Sequence, residues 1–317
     1  MVLKDEVIEN KRMQKGQKVE LIKMTYVEGG FFQKWLNRGR YRGVEFTGRV
    51  DSFYLGTYPV TQEQYRKVMG GNPSFFSDKP GSEQRPVDFV SWFDAVVFCN
   101  CLSISEGFTP VYMLFGIRDP EKWGAVPNDF ITNWNDIEED EEAFGYRLPT
   151  RIEWEYAARG GKKSCSCMYA GSDDPDEVAW YKENENDQTW PVGGKKPNEL
   201  GLYDICGNVW EWCWDWCFDS YNERLPEIDT QLLEWRFLED ASDEKLIENP
   251  RGAKRGYDRI LCGGSWLSDS KSLRMSNFGK NSPHLYHYNI GFRVLLPLKE
   301  KTQCNRFDTE MMCSSGS

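Results

Sequence analysis

An α+β fold with several capped helices, a few short strands and little other regular structure is predicted by two kinds of local pattern. Ser or Thr followed three residues later by an acidic or amide side chain, the signature of a helix start, precedes three apolar runs. Short aromatic and β-branched runs bounded by glycine or proline indicate strands. Polar, irregular sequence between these runs predicts long connecting segments.

The three predicted helices start at Thr61, Ser91 and Thr150. Glycines that favour a left-handed C-terminal turn end them, at Gly70-Gly71, Gly107 and Gly160-Gly161. Apolar residues at helical spacing should form their buried faces, namely Tyr65, Val68 and Met69; Trp92, Val96, Cys99 and Leu102; and Trp154, Ala157 and Ala158.

Strands are predicted over residues 24–32, 51–60 and 210–216. The last of these has tryptophan at every second position, which places the four indoles on one face of a strand. Glu211 and Asp215 fall on the opposite face. We expect one face to pack in the core and the other to be available for polar roles.

The remaining segments show no core-forming pattern. Residues 116–142 and 218–256 are rich in acidic and polar residues and are predicted to be surface excursions, the second with a short helix near residues 232–238. Residues 1–24 are predicted to be an N-terminal arm and residues 298–317 a tail. The folded domain should therefore span residues 25–297.

The charge and hydropathy of the chain argue against a nucleic-acid partner and against a membrane span. A formal net charge of -11 argues against nucleic acid, because affinity for the phosphate backbone rests on Lys and Arg. No run approaches the roughly 18 apolar residues of a membrane span, and the charged N-terminal residues do not form a signal sequence. The sequence predicts a cytoplasmic protein, or an exported one shown without its export signal.

The ten cysteines do not follow the spacing of a structural zinc site, since no Cys-x-x-Cys occurs. One alternative is a metal held jointly by Cys165, Cys167, Cys213 and Cys217. The other interpretation is that most cysteines are buried, inert thiols, as expected for Cys99, Cys101, Cys206, Cys213 and Cys262.

A polar and aromatic segment at residues 267–289 lies between the regular flanks 261–266 and 290–294. It contains the only two histidines of the chain, His284 and His287. Tyr, His, Asn and Ser provide contact area and adaptable hydrogen bonds, so this composition is typical of a recognition surface. The alternative is an ordinary surface loop.

The order of motifs resembles the formylglycine-generating-enzyme, or sulfatase-modifying factor, family. The resemblance rests on Arg-Leu-Pro-Thr-Arg at 147–151, Gly-Asn-Val-Trp-Glu-Trp at 207–212, Gly-Gly-Ser-Trp at 263–266 and Gly-Phe-Arg at 291–293. Further matching stretches lie at 58–65, 85–92, 105–112, 152–159 and 197–204. It implies an elaborated C-type-lectin fold, with capped helices around a small twisted antiparallel sheet.

The resemblance also bears on catalysis. Oxidase members of the family bind copper through two cysteines that would fall near Ser268 and Leu273, yet no cysteine lies between Cys262 and Cys304. Another branch needs a histidine cluster for iron, which two histidines do not supply. We therefore predict that the chain is not an enzyme and has no catalytic residues.

The branch that this chain resembles most is the variable proteins of diversity-generating retroelements. In that branch a C-terminal segment like residues 262–294 is rewritten codon by codon to display new binding surfaces. Arg274, Pro283 and residues 290–293 would be scaffold. The ligand-binding positions implied are Leu267, Ser268, Asp269, Ser272, Leu273, Phe278, Asn281, Ser282, His284, Leu285, Tyr286, His287, Tyr288 and Asn289.

This branch predicts a ligand-binding display protein whose partner is an unidentified external protein or other ligand. A cell-surface location through an N-terminal lipid anchor absent from this chain is expected, with a cytoplasmic location as the alternative. The display positions should be exposed, whereas Trp266, Ile290 and Phe292 should be buried. The competing functions are an oxidase or other enzyme that uses His284 or His287 as an acid or base, and a purely structural module.

No cofactor is predicted, apart from a possible structural calcium ion. Asp204, Gly207, Val209 and Glu211 match the positions that bind calcium in the oxidases, and carboxylate and carbonyl oxygens suit this ion. The alternative is that Asp204 and Glu211 accept hydrogen bonds from buried backbone or from arginine.

Overall fold

The protein, analysed as a computed structural model, is described over residues 21–36, 44–129, 132–184, 186–217, 247–253 and 255–298. The α-helices are α1 (Gln62–Met69), α2 (Trp92–Glu106), α3 (Arg151–Ala158) and α4 (Pro175–Val178). Short 3-10 helices cover Ser82–Gln84, Pro120–Lys122, Asn133–Asp136 and Gly161–Lys163. The strands are β1 (Met24–Val27), β2 (Gly30–Leu36), β3 (Val44–Val50), β4 (Phe53–Gly56), β5 (Tyr112–Met113), β6 (Glu138–Glu139), β7 (Ala179–Trp180), β8 (Cys206–Gly207), β9 (Trp210–Cys217), β10 (Ile247–Glu248), β11 (Asp258–Cys262), β12 (Phe278–Asn281), β13 (Ile290–Gly291) and β14 (Leu295–Pro297).

The α+β prediction is confirmed, because short helices lie around several small sheets. The largest of these sheets has the strand order β12-β11-β9-β13, and it carries both flanks of the segment 267–289. β11 pairs antiparallel with β9 and β12, whereas β13 joins the other side of β9 in parallel. A second sheet has the order β1-β4-β14, so the chain returns to its N-terminal strands after β13.

The three predicted helix starts are confirmed as reciprocal capping boxes. Thr61, Ser91 and Thr150 each accept a hydrogen bond from the backbone N–H three residues on, and that residue's side chain accepts one in return. Left-handed glycines follow α1 and α2, with φ of 80° at Gly70 and 79° at Gly107. These local interactions satisfy N–H and carbonyl groups that have no partner inside the helix.

The core consists of two apolar clusters, and β9 lies between them. Trp212 packs in the cluster around α2, while Cys213 and Cys217 belong to the cluster around α3. The expectation of a polar free face on β9 is therefore wrong. Glu211 and Asp215 are buried as well, since the α3 cluster covers the face opposite the tryptophans.

Helix α2 also differs from its prediction, since it is buried around most of its circumference rather than along one stripe. Phe93, Val97 and Phe98 are buried together with the predicted residues. Trp134 packs its ring against Phe93 at a centroid distance of 5.7 Å. Because Trp134 comes from residues 116–142, this segment partly covers the core, and its prediction as a surface excursion is wrong in that respect.

The predicted strand 24–32 is two strands. Gly29 lies between β1 and β2, and a Cβ there would meet the backbone of Val50 and Ser52 at 2.6 Å, so the chain crosses itself closely at this point. Ile22 is buried in the core, which places the end of the predicted arm within the folded domain. The predicted arm 1–20, the short helix near 232–238 and most of the tail lie outside the described residues.

Candidate functional site

The segment 267–289 starts and ends at the same sheet. It leaves β11 through Gly263 and Gly264, both with positive φ, and returns along β12 to pair with β11. Residues 282–289 then pass from β12 at one edge of this sheet to β13 at the other. A Cβ at Gly263 would lie 2.7 Å from the carbonyl oxygen of Ile205, so the close approach at this exit requires glycine.

Backbone hydrogen bonds hold residues 282–289 to the framework. The N–H of Phe89 donates to the carbonyl of His287 at 3.0 Å, and the N–H of Trp92 donates to that of Pro283 at 3.0 Å. At the other end, Trp210 N–H donates to the carbonyl of Asn289 at 2.8 Å. Because these three bonds use the main chain of the segment, a change of side chain at an exposed position leaves their donors and acceptors in place.

The side chains of this segment form an aromatic patch with two residues from outside it. The patch consists of the rings of Phe75, Phe89, Tyr286 and Tyr288, and the exposed Leu285 precedes Tyr286 in the chain. Ring centroids lie 4.6 Å apart for Phe89 and Tyr286, 5.5 Å apart for Phe75 and Tyr288 and 6.5 Å apart for Phe75 and Phe89. Phe75 is 61% exposed and Tyr286 49%, so the patch forms contiguous apolar surface.

The sequence did not predict the contribution of Phe75 and Phe89. Phe89 has a φ of 61°, a left-handed conformation that is rare for a bulky residue and costs on the order of 1–3 kcal/mol. Its neighbours Asp88 and Val90 are both buried, while the Phe89 ring reaches the surface. In the sequence, the Phe-Phe pair at residues 75–76, within a turn rich in Pro and Ser, could have indicated that Phe75 is an exposed aromatic residue of the patch.

Asp88 holds together the two loops that carry Phe75 and Phe89. Its carboxylate accepts a hydrogen bond from the N–H of Phe75 at 2.7 Å, and its own N–H donates to Ser74 Oγ at 3.2 Å. Burial raises the pKa of Asp88 to about 7, although the N–H groups of Phe75 and Phe76 and the charge of Arg85 act in the opposite direction. Asp88 therefore ties the loop of Phe75 to the loop of Phe89.

The two histidines make short polar contacts within their own segment. His284 Nδ1 lies 2.9 Å from Ser282 Oγ, and His287 Nδ1 lies 2.6 Å from Asn289 Oδ1. Asn289 in turn donates to Ser265 Oγ at 3.0 Å, which links the segment to the Gly-Gly-Ser-Trp flank. Such pairs orient the rings for contact.

Two predicted binding positions are buried, so their assignment to an exposed surface is wrong. Leu273 is fully buried in the α3 cluster, and Ser268 is 8% exposed. Ser268 Oγ accepts the N–H of Ser265 at 2.9 Å, which closes the turn after the Gly-Gly-Ser-Trp motif. Arg274, predicted to be scaffold, is exposed. The predicted burial of three framework residues is confirmed, for Trp266, Ile290 and Phe292.

The other predicted binding positions are exposed or half-buried, and some lie away from the aromatic patch. Asp269 and Ser272 form an exposed turn, in which the Asp269 carboxylate accepts the Ser272 hydroxyl at 2.7 Å. Phe278 lies on β12, and the guanidinium carbon of Arg151 is 4.0 Å from the centroid of the Phe278 ring. The remaining positions with this accessibility are Leu267, Asn281, Ser282, His284, Leu285, Tyr286, His287, Tyr288 and Asn289.

Three thiols near the Gly-Gly-Ser-Trp flank and Leu273 are buried. Cys206 donates to the carbonyl of Leu273 at 3.3 Å, and burial raises its pKa to about 12. The Sγ atoms of Cys213 and Cys262 are 3.6 Å apart, and burial raises the pKa of Cys213 strongly. Nucleophilic chemistry requires the thiolate, and burial disfavours the thiolate of Cys206 and of Cys213.

The four-cysteine metal site is also wrong. Cys213 and Cys217 are four residues apart on one strand, a separation of roughly 13 Å, which is too far for ligands of one ion. Cys165 and Cys167 instead form a disulfide. Of the predicted inert thiols, Cys99, Cys206, Cys213 and Cys262 are buried, whereas Cys101 is half-buried.

The proposed calcium ligands already have protein partners. Glu211 accepts hydrogen bonds from Arg293 Nε at 2.8 Å, from Arg293 Nη2 at 2.7 Å and from Trp154 Nε1 at 2.7 Å. Asp204 accepts from the N–H of Gly193 at 2.7 Å and from Asn208 Nδ2 at 3.2 Å. A calcium ion at Glu211 would have to share these oxygens with a guanidinium, so the donor set favours the hydrogen-bonding alternative.

These features define a class of protein: a sulfatase-modifying-factor-type scaffold that holds its C-terminal segment by main-chain hydrogen bonds and has no thiol at the expected oxidase positions. The chain belongs to the sulfatase-modifying factor family, since the profile of the "Sulfatase-modifying factor enzyme 1-like domain" matches residues 9–298. This match confirms the family resemblance and the fold that it implied.

Three known proteins show the range of its relatives. The chain is 44% identical over 290 residues to "Chaperone protein LppX" of Paenibacillus barcinonensis, with 86% of this chain and 88% of that protein covered. It is 32% identical over 178 residues to the formylglycine-generating enzyme of Streptomyces coelicolor, with 51% of this chain and 50% of that enzyme covered. The solved structure "Treponema denticola variable protein 1" is similar with a TM-score of 0.71 at 30% identity, covering 86% of this chain and 94% of that chain.

Proposed function

We propose that this protein is a ligand-binding display protein, in which a rigid scaffold presents residues 282–289 and the aromatic patch to a partner. The observation that carries the proposal is the way the segment is held. Its backbone accepts hydrogen bonds from Phe89, Trp92 and Trp210, while its most exposed side chains, Leu285 and Tyr286, extend into solvent. A scaffold with this property tolerates changes of contact residues without refolding.

The chemistry of the patch indicates the kind of partner. Tyrosine and phenylalanine rings supply large contact areas at small entropy cost, and the histidine and asparagine groups around them supply hydrogen bonds. The net charge of -11 disfavours nucleic acid. A protein surface or a peptide with an exposed apolar side chain is the partner that this surface fits.

The similarity to a variable protein supports diversification of the same segment. On this proposal the exposed positions of residues 267–289 vary, whereas Ser268 and Leu273 are held constant by their burial. A diversified binder is useful against external targets, so we place the protein at the cell surface, held by an N-terminal lipid anchor that is absent from this chain. Within the described residues, no helix is both long enough and apolar enough to span a membrane.

Peptide panning tests the recognition surface directly. Binders selected on the immobilised protein from a phage-displayed random peptide library should lose binding to the variant Leu285→Ser/Tyr286→Ser. They should retain binding to the control variant Phe115→Ser/Ile117→Ser, which removes two exposed apolar residues elsewhere. Equal binding to both variants would show that the patch is not the recognition surface.

A second candidate function is assistance to the folding of another protein, which the 44% identity to a protein named as a chaperone favours. The aromatic patch would then bind apolar segments of a non-native client. Suppression of the aggregation of heat-denatured citrate synthase, lost in Leu285→Ser/Tyr286→Ser, would support this candidate. Panning binders that depend on the patch, without such suppression, would support display.

The proposal also includes the absence of oxidase activity. Ser268 and Leu273 supply no thiolate for copper, and Cys206 is buried with a raised pKa. Incubation with a Cys-x-Pro-x-Arg peptide, copper and oxygen should therefore give no formylglycine by mass spectrometry. Turnover by the parent protein that persists after rigorous purification would contradict this part of the proposal.

A further inference from the structure

Outside the recognition surface, two cysteines and a carboxylate meet beside the C-terminal end of α3. Cys165 and Cys167 form a disulfide, with their Cα atoms 5.3 Å apart. One ligand atom from each of Cys165, Cys167 and Glu199 lies within 4.8 Å of the other two. In the part of the chain that the structure describes, no other group of three metal-ligating His, Cys, Asp or Glu side chains is so close.

The loop that carries the cysteines is shaped to bring their sulfur atoms together. Ser166 between them has a φ of 61°, and this left-handed residue shortens the Cα distance from the roughly 6.6 Å of an extended strand. The N–H of Cys167 donates to Cys165 Sγ at 3.3 Å. The N–H of Met168 donates to Asp173 at 2.7 Å, which fixes the end of the loop.

Glu199 is placed by a turn that is tied to α3. The buried Asn198 donates from Nδ2 to the carbonyls of Ala157 at 2.8 Å and Ala158 at 3.1 Å, the last carbonyls of the helix. The Glu199 carboxylate then lies against Gly160, where a Cβ would be 2.6 Å from Glu199 Oε2. Gly160 also has a φ of 85°, so the backbone conformation favours glycine beside this carboxylate.

We propose that Cys165, Cys167 and Glu199 form a redox-gated site for a thiophilic divalent cation of the zinc type. In the disulfide form no thiolate is present. Two equivalents of a small-molecule thiol reduce it, giving two protein thiols and one small-molecule disulfide. The cation then binds both sulfurs and the carboxylate, and two thiol protons are released.

The geometry suits such an ion after reduction. With Zn–S bonds of about 2.3 Å, two sulfurs on a tetrahedral zinc are about 3.8 Å apart, so the opened disulfide needs only a small separation of the loop. The carboxylate oxygen is already within 4.8 Å of both sulfurs. Cys165 is exposed and Cys167 is half-buried, so the ion and the reductant both have access, and water completes the coordination.

Cobalt titration tests the site, because thiolate-to-cobalt charge transfer gives an absorption that carboxylates and water do not. The full chain is used with Cys304→Ser and Cys313→Ser, two cysteines outside the described residues. The reduced protein should bind one equivalent of Co²⁺ with this absorption, and Zn²⁺ should displace it. The signal should be absent in the disulfide form and in Cys165→Ser or Cys167→Ser, and retained in the control Cys101→Ser.

Two further readouts separate ligand roles from structural ones. Glu199→Gln should keep the absorption but weaken cobalt binding at least tenfold, and unchanged binding would remove Glu199 from the site. If a serine variant fails to fold, alkylation of the parent decides the matter, because bound Zn²⁺ should protect Cys165 and Cys167 from iodoacetamide in peptide mass spectra. The proposal is overturned if the reduced parent shows no charge-transfer absorption, or if the absorption persists in Cys165→Ser.

Discussion

Replacing Arg293 by methionine should unfold the protein at a markedly lower temperature. Arg293 is fully buried and donates two hydrogen bonds to Glu211, which is 1% exposed, and others to the carbonyls of Gly56 at 2.8 Å and Tyr203 at 2.9 Å. Methionine fills much of the volume of the arginine side chain but leaves the Glu211 carboxylate buried. Trp154 is then the remaining close donor to that carboxylate. Breaking a buried ion pair on one side costs about 3–5 kcal/mol.

For a chain of this size that loss corresponds to a drop in melting temperature of roughly 5–8 °C, measured by circular dichroism or calorimetry. The double variant Glu211→Gln/Arg293→Met removes the unpaired charge and should recover roughly 1–3 kcal/mol of the loss. Arg274→Met, at an exposed position, is the control and should change stability by about 0.5 kcal/mol or less. If Arg293→Met melts within 2 °C of the parent, the loss of stability is only on the order of 1 kcal/mol. That result would refute the assignment of Arg293 as the buried anchor of the C-terminal flank.

Three further predictions concern the division into framework and display positions, the buried Asp88 and the calcium site. Phe292→Ala should cost about 3–5 kcal/mol by chemical denaturation, whereas Tyr286→Ala should cost about 0.5 kcal/mol, and similar costs for both would contradict the division into framework and display. Burial raises the pKa of Asp88 to about 7, so the folded state holds a proton that the unfolded state releases near pH 4, and stability should fall by on the order of a few kcal/mol between pH 4 and 7. Asp88→Asn should remove this part of the pH dependence and leave the part that comes from Asp204 and Asp215, whose pKa burial raises to about 6. A pH profile of Asp88→Asn equal to that of the parent would refute the assignment. Excess chelator should leave the melting temperature unchanged because Arg293 occupies Glu211, and a calcium-dependent rise would establish the calcium site instead.

The parts of the fold that the sequence predicted correctly depend on neighbouring residues. Thr61, Ser91 and Thr150 form capping boxes with residues three positions away, so the local sequence contains the whole interaction. The alternating tryptophans similarly define strand β9. Which arginine pairs with Glu211 on the other face could not be predicted, because Arg293 is 82 residues away in the chain.

At the candidate site too, features set by neighbouring residues could be predicted from the sequence, whereas contacts between distant residues could not. The limits of the recognition segment were evident from its regular flanks, and most of its side chains are accessible as predicted. Leu273 is buried because α3 and β8 pack over it, which its polar neighbours in sequence did not indicate. Phe75 and Phe89 belong to the patch because Asp88 joins their loops, a contact that no sequence spacing predicts.

Sequencing this gene and its surroundings in the source genome shows whether residues 267–289 form a diversified recognition surface on a constant scaffold. We predict a near-copy of the codons for about residues 262–294 beside a reverse-transcriptase gene, differing only where the copy has adenine. We also predict differences at exposed positions such as Leu285, Tyr286 and His287, and none at Leu273 or Phe292. The absence of any such copy, or differences spread evenly over buried and exposed codons, would contradict the prediction.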